Sequence, residues 1–199
     1  MKNILHIMSS PRGEVSYSIR LGRAIVSKIA EAHPGSILVE RNVAQHNLPH
    51  LSSTHLESFF TPPELQTDAN RAAIAQSDQA VAEVKAADII VIGVPLYNFG
   101  VPSTLKSWID HIVRVGQTFR YDPDGSKGLL SNKKVYVALA SGGVYSNGPM
   151  QRFDSVTPYL KNVFSFIGIP DVEVVRAEGT QIPNLAPTAL EKGIAAIAV

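Results

Sequence analysis

The segment Ile89-Ile90-Val91-Ile92-Gly93-Val94-Pro95-Leu96-Tyr97-Asn98-Phe99-Gly100 decides the fold. Its first six residues are apolar without alternation. A strand needs that pattern when both faces of its sheet are covered, as they are in parallel α/β domains. Pro95 ends the run, and a loop follows that sets Tyr97 and Phe99 on either side of Asn98.

Strands and helices alternate outward from this segment. Upstream, Ile4 to Met8 predicts a short buried strand, stopped by the turn-rich Ser9-Ser10-Pro11-Arg12-Gly13. Ile19, Ile25, Val26 and Ile29 recur at helical spacing and predict a helix from about Ser16 to Ala32, ended by Pro34-Gly35. Ile37-Leu38-Val39 predicts a second strand, followed by a long polar loop. Residues 68–87 predict an Ala-rich helix with Thr67 as its N-cap.

Downstream, Leu105, Trp108, Ile109 and Ile112 mark the buried face of a helix from about Ser103 to Val115, with Gly116 as its stop. Val135 to Leu139 predicts a strand ending at Ser141-Gly142-Gly143. Thr157-Pro158 predicts a helix start, with Thr157 as cap and Pro158 at the first helical position. Leu160, Val163, Phe164 and Ile167 give that helix a buried face, and Gly168 ends it. Val172 to Val175 predicts the last strand, and a helix from about Pro187 closes the chain. The expectation is one α/β domain over residues 1–199: a doubly wound, five-stranded parallel sheet with helices on both faces. Such sheets bind ligands beyond the carboxyl ends of their strands, where the strand order reverses.

Composition narrows the chemistry. The 199 residues carry 18 Lys+Arg against 17 Asp+Glu, a net charge of +1, which argues against nucleic-acid binding by bulk charge and against a polybasic membrane anchor. There is no cysteine, which removes disulfides, thiolate metal sites, Cys-ligated iron–sulfur clusters and Cys nucleophiles. Redox work would need a cofactor. The longest apolar runs are about six residues, as at Ile194–Val199, against the roughly 18 of a membrane span. No signal peptide is expected, and a soluble cytoplasmic protein is the expectation.

Three strand ends carry unusual loops. Ser9, Ser10, Ser16 and Ser18 place hydroxyls where a strand feeds a helix N-terminus, whose free N–H groups seat phosphate. Simple capping of the helix start is the plainer reading of such serines. Tyr97 and Phe99 offer faces for a flat ligand, and Asn98 offers an amide; a turn with two core aromatics is the alternative. Gly142 and Gly143 allow close backbone approach, as does any tight turn. The three loops follow alternate strands of one sheet and are expected to converge on one edge. Hydroxyls, aromatics and glycines together describe a phosphorylated flat cofactor. No G-x-x-x-x-G-K-S/T or G-x-G-x-x-G motif is present, so FMN fits better than a nucleoside triphosphate.

Ser9-Ser10 with Ser16-Tyr17-Ser18, Val94 to Phe99, Thr118-Phe119-Arg120-Tyr121 and Ser141-Gly142-Gly143 resemble, in order along the chain, the FMN-dependent NADH-azoreductases. These are also called FMN-dependent NADH:quinone oxidoreductases, within the flavodoxin-like superfamily. Ser165 to Ile169 and Ala177-Glu178-Gly179 resemble the family's late segments. The resemblance implies a flavodoxin-like homodimer with one FMN per subunit at the interface, and two-electron reduction of quinones and azo bonds by NADH or NADPH. Carried over, Ser10 and Ser16, Tyr17 and Ser18 hold the phosphate. Pro95, Leu96, Tyr97, Asn98 and Phe99 line the isoalloxazine ring, and Ala140, Ser141, Gly142 and Gly143 meet its pyrimidine end. Leu96 stands where the family often has Met, and Ser141 where it often has Arg.

No side chain is expected to act as acid or base, since hydride transfer is the flavin's own chemistry. Donor and acceptor using one space in turn implies ping-pong kinetics. Phe60, Tyr121 and Phe166 are candidates for an aromatic wall against flat acceptors, with core or interface packing as the alternative. Trp108 reads as core. His46, His50 and His55 read as solvated loop histidines rather than metal ligands, and Lys127, Lys133 and Lys134 as a solvated edge. The second functional reading is a flavodoxin-like electron carrier without its own NAD(P)H turnover, whose expected acidic docking surface a charge of +1 does not supply. A hydrolase lacks a G-x-S-x-G elbow.

Overall fold

The computed structural model describes residues 1–199. Five parallel strands form the central sheet: β1 (Asn3–Met8), β2 (Ile37–Asn42), β3 (Ile89–Pro95), β6 (Lys134–Ala140) and β7 (Val172–Ala177), in the order β2-β1-β3-β6-β7. A second, two-stranded antiparallel ribbon pairs β4 (Phe119–Asp122) with β5 (Gly125–Gly128). The order reverses between β1 and β3, which leaves a crevice at their carboxyl ends. All seven residues of β3 are buried, which accounts for its unbroken apolar sequence.

The helices are α1 (Tyr17–Ala32), α2 (Ser53–Phe60), α3 (Asp68–Ala86), α4 (Ser103–Ile112), α5 (Val156–Phe166) and α6 (Ala189–Ala195). One apolar cluster under α3, α4 and α5 includes Ile7, Ile92, Trp108 and Phe164. The other, under α1, includes Leu21, Ile25, Ile29, Val91 and Val175. Glycines bring α1 onto the sheet. A Cβ on Gly93 would lie 3.0 Å from Ser18 O. Side chains at these contacts would lift the helix off its seat.

Several expectations are corrected. The loop after β2 contains α2, whose N-cap Ser52 forms a reciprocal capping box with His55. His55 is therefore a buried helix-capping residue, and its ring stands edge-on to His111 at 5.2 Å. The β4–β5 ribbon is an additional element outside the expected five-stranded sheet. Thr157 is not the cap of α5: Ser155 holds that position, and Asp154 accepts the Thr157 N–H at 2.9 Å. α4 ends at Ile112 and α6 at Ala195, both short of the predicted ends. Lys133 is not a solvated side chain, because its Nζ bonds the carbonyls of Lys85 and Ala87 at the end of α3. Lys134 pairs with Glu173 at 2.9 Å. Thr67 does cap α3, with Asn70 completing a capping box.

Candidate functional site

The three loops singled out in the sequence leave β1, β3 and β6, which are adjacent strands and not alternate ones. Parallel pairing in register brings the strand ends level: Met8 pairs with Gly93, and Pro95 with Ala140. The loops are also tied to one another. Ser9 Oγ donates to Gly93 O at 2.7 Å, and Leu96 N–H to Ala140 O at 2.8 Å. They enclose a cleft of about 270 Å³ lined by Ser16, Tyr17, Pro95, Leu96, Tyr97, Ala140, Ser141 and Gly142, with Arg12, Thr180 and Gln181. A neighbouring cavity of about 500 Å³ shares Tyr97 and adds Ser9, Asn98 and Gly100.

The first loop ends at an open helix terminus. Ser16 is the N-cap of α1, yet its side chain makes no capping bond; its hydroxyl instead meets that of Ser18 at 3.1 Å. Tyr17, Ser18 and Ile19 donate their N–H groups to no protein acceptor. Ser10 lies buried beside them, and its Oγ accepts from Arg12 N at 3.4 Å. Free N–H groups, the positive end of the helix dipole and uncharged hydroxyls make a seat for a phosphate.

The second loop is a strained turn. Tyr97 and Gly100 bond each other through both backbone groups, at 3.2 and 2.9 Å. Between them Asn98 (φ 48°) and Phe99 (φ 65°) are both left-handed, as a type I′ turn requires. Asn tolerates this region, but for Phe it costs about 1–2 kcal/mol. The Phe99 ring leaves the cleft and stacks on Phe153 at 5.2 Å, with Tyr145 edge-on at 6.3 Å.

The third loop is laced to the end of β7. Ser141, Gly142 and Gly143 offer their carbonyls to the N–H groups of Thr180, Gln181 and Gly179 at 3.0–3.1 Å. In a trans peptide N–H points opposite to C=O, so the Gly142 and Gly143 N–H groups face away from that segment. Neither donates to a protein acceptor. Ser141 is buried and its hydroxyl braces the turn by donating to Gly143 O at 2.9 Å.

The sequence reading missed Arg12, Thr180 and Gln181 as part of the cleft; the signal was that a parallel sheet delivers the loop after β7 to the same edge. Ser10, Ser18 and Gly143 sit behind the lining. Phe60, Tyr121 and Phe166 do not line the cleft. Tyr121 and Phe166 both pack on Phe119, at 5.5 and 4.7 Å, while Phe60 is exposed at the end of α2. Tyr159 lines a third cavity beside Gly100, and its phenol is pushed up to about 12 by burial and then by Asp110. It is a neutral donor and no base at physiological pH.

A family model described as flavodoxin-like fold matches residues 2–199. The chain belongs to that flavodoxin-like family. Among relatives of this flavodoxin-like protein, the FMN-dependent NADH:quinone oxidoreductase of Aromatoleum aromaticum is 49% identical over 177 residues, covering 89% of this chain and 87% of the relative. That of Mesorhizobium japonicum is 40% identical over 196 residues, covering 98% and 93%. Among solved structures, an azoreductase from Bacillus anthracis superposes with a TM-score of 0.89 at 30% identity, covering 98% of this chain and 96% of the other. An FMN-dependent NADH-azoreductase from the same species, in complex with FMN, gives 0.86 at 29% identity, covering 98% and 97%. No helix of this flavodoxin-like chain is long and apolar enough to cross a membrane.

Proposed function

We propose that this protein is an FMN-dependent NADH:quinone oxidoreductase and azoreductase. It passes two electrons from NADH or NADPH to quinones and azo compounds in ping-pong order, as a homodimer with one FMN per subunit. The observation that carries the reading is the meeting of an uncapped helix end, a strained aromatic turn and two unpaired glycine N–H groups at one cleft.

The residues present fit the cofactor. The Ser16 hydroxyl at the cleft, backed by buried Ser10 and Ser18, and the open end of α1 match a phosphate, and no carboxylate lines the cleft to repel it. FMN, when bound, supplies the hydride-accepting and hydride-donating chemistry. The chain supplies binding, orientation and charge. Pro95, Leu96 and Tyr97 would line the isoalloxazine ring, with Asn98 in the adjoining cavity, whereas Phe99, expected there from the sequence, turns its ring away onto Phe153. Ala140 to Gly143 would meet its pyrimidine edge, where the Gly142 and Gly143 N–H groups favour negative charge. No side chain is assigned as acid or base, because hydride transfer is the flavin's own chemistry.

The dimer is supported by large apolar side chains left on the surface: Phe60 and Tyr121 are each 71% exposed, and Phe166 and Leu129 more than a third. A second copy would cover them and bring Tyr121 and Phe166 to its own cleft as a wall for flat acceptors.

Purification supplies the test. The chain should emerge yellow, bleach an azo dye with NADH or NADPH, reduce a simple quinone, and give parallel double-reciprocal plots. A colourless protein that takes up no added FMN, or a yellow one that neither nicotinamide reduces, overturns the reading.

A further inference from the structure

Phe99 holds a left-handed backbone that the Tyr97–Gly100 bonds close but that is costly for a bulky residue. Further support comes from the loop between Gly143 and Val156. Ser155 Oγ donates to Phe99 O, Phe153 stacks on the Phe99 ring, and Tyr145 meets the ring edge-on. That loop has no strand or α-helix of its own, only a three-residue 3₁₀ turn at Gln151–Phe153. It therefore needs anchoring from elsewhere.

Both its ends are anchored through one side chain. Arg176 projects from β7 and is largely buried, at 18% side-chain exposure. Its Nη2 donates to Asp154 Oδ2 and to Thr157 Oγ1, each at 2.6 Å. Its Nη1 meets Glu178 Oε1 as an ion pair at 3.5 Å, with no hydrogen bond. Asp154 accepts the Thr157 N–H at the start of α5. Glu178 accepts the N–H groups of Tyr145 and Ser146 at 2.7 and 2.9 Å. One guanidinium thus stands between two half-buried carboxylates, one gripping each end of the loop. The planar fork presents one nitrogen to each carboxylate, whereas an ammonium is a single point charge.

We propose that Arg176 is a positioning residue for the reaction. By bracing the 143–155 loop at Asp154 and Glu178, it fixes Tyr145 and Phe153 against Phe99 and so keeps the strained turn in the shape presented to flat substrates. This rests on the proposed oxidoreductase reading. Arg176 touches no reacting atom: it does not line the cleft, and the serine seat of the first loop is independent of it.

The test compares Arg176→Met and Arg176→Lys in the full chain loaded with FMN. In the Met variant, amide exchange at Tyr145 and Ser146 should accelerate at least tenfold, and trypsin should nick after Arg152 faster than in the wild type. FMN should remain bound. KM for a quinone acceptor should rise several-fold with a smaller change in kcat, and Lys should restore part of both effects. Exchange and trypsin resistance at the wild-type level in the Met variant overturn the proposal, as does an unchanged KM. If the Met variant does not fold, Lys decides alone: wild-type exchange at Tyr145 and Ser146 overturns it. Failure of the oxidoreductase reading would show separately, as a wild-type chain without flavin or turnover.

Discussion

His6 and Gly22 touch: a methyl group on Gly22 would sit 2.6 Å from His6 Nε2. Inside a helix, Ala normally stabilises relative to Gly by about 1 kcal/mol. Here the ring of a fully buried histidine has no room to retreat. Gly22→Ala should therefore destabilise by about 1–3 kcal/mol, the usual cost of overpacking. Urea denaturation checks the sign. In a His6→Ser background, which removes the ring, the penalty should vanish.

Two buried histidines set the response to acid. His6 is held below the ordinary imidazole value of 6.5 by burial, which outweighs its bond and attraction to Glu40, and Arg23 adds to the depression. His111 is lowered first by burial, against its bond to Pro49 O, with His55 and Arg114 adding to the depression and Asp110 opposing it. Both are neutral in the fold at a pH where the unfolded chain binds protons. Stability should be flat above about pH 7 and fall as pH drops below 6.5, through the window between the unfolded and folded values. Asp154 acts lower. Burial opposes its ionisation, but the Thr157 N–H and hydroxyl and Arg176 outweigh it, so its contribution persists until pH falls below the ordinary carboxylate range. Urea midpoints at pH 7.5 and 5.5 measure the histidine slope. His111→Asn should flatten it; an unchanged slope would count against this assignment.

Ser16 lets stability and cofactor binding be separated. A carboxylate at this N-cap supplies the missing side-chain cap and favours the helix dipole, so Ser16→Asp should stabilise the flavin-free protein by about 0.5–1 kcal/mol. The same charge faces the cleft and should weaken FMN binding more than tenfold. Thermal melts of the flavin-free protein and fluorescence titration with FMN read the two effects. Both moving in one direction would contradict a phosphate seat here.

Glycine at position 99 relaxes the left-handed turn while deleting the ring that stacks on Phe153. Phe99→Gly should keep wild-type stability within about 1 kcal/mol, since relief of strain offsets the lost stacking. Turnover of an azo dye should still drop about tenfold. A large loss of stability would mean that the ring, not the turn, anchors this loop.

Much of the fold was legible because its signals are local. β3 had to be apolar throughout since both its faces are covered, and α1 had to repeat its apolar residues at helical spacing since one face meets the sheet. α2 was not legible: only His55 and Ser58 are buried in it, too few for a periodic pattern. The β4–β5 ribbon escaped notice because Gly125-Ser126-Lys127-Gly128 has no strand character of its own. Its seat is a backbone crossing in which a Cβ on Gly128 would lie 2.2 Å from Gly168 N. The serine, aromatic and glycine loops could be read because each interrupts a strong strand. Arg12, Thr180 and Gln181 carried no motif.

The sequence by itself determined the α/β class, the places where its strands end and the chemistry on three of the loops there. Those depend on burial and periodicity within a dozen residues. Only the tertiary structure decided that β1, β3 and β6 are neighbours, that the β7 loop joins their cleft, and that Arg176 braces the segment packed on Phe99. Strand order and ion-pair partners link residues far apart along the chain. They are set by which surfaces pack together, and no local stretch of sequence records that choice.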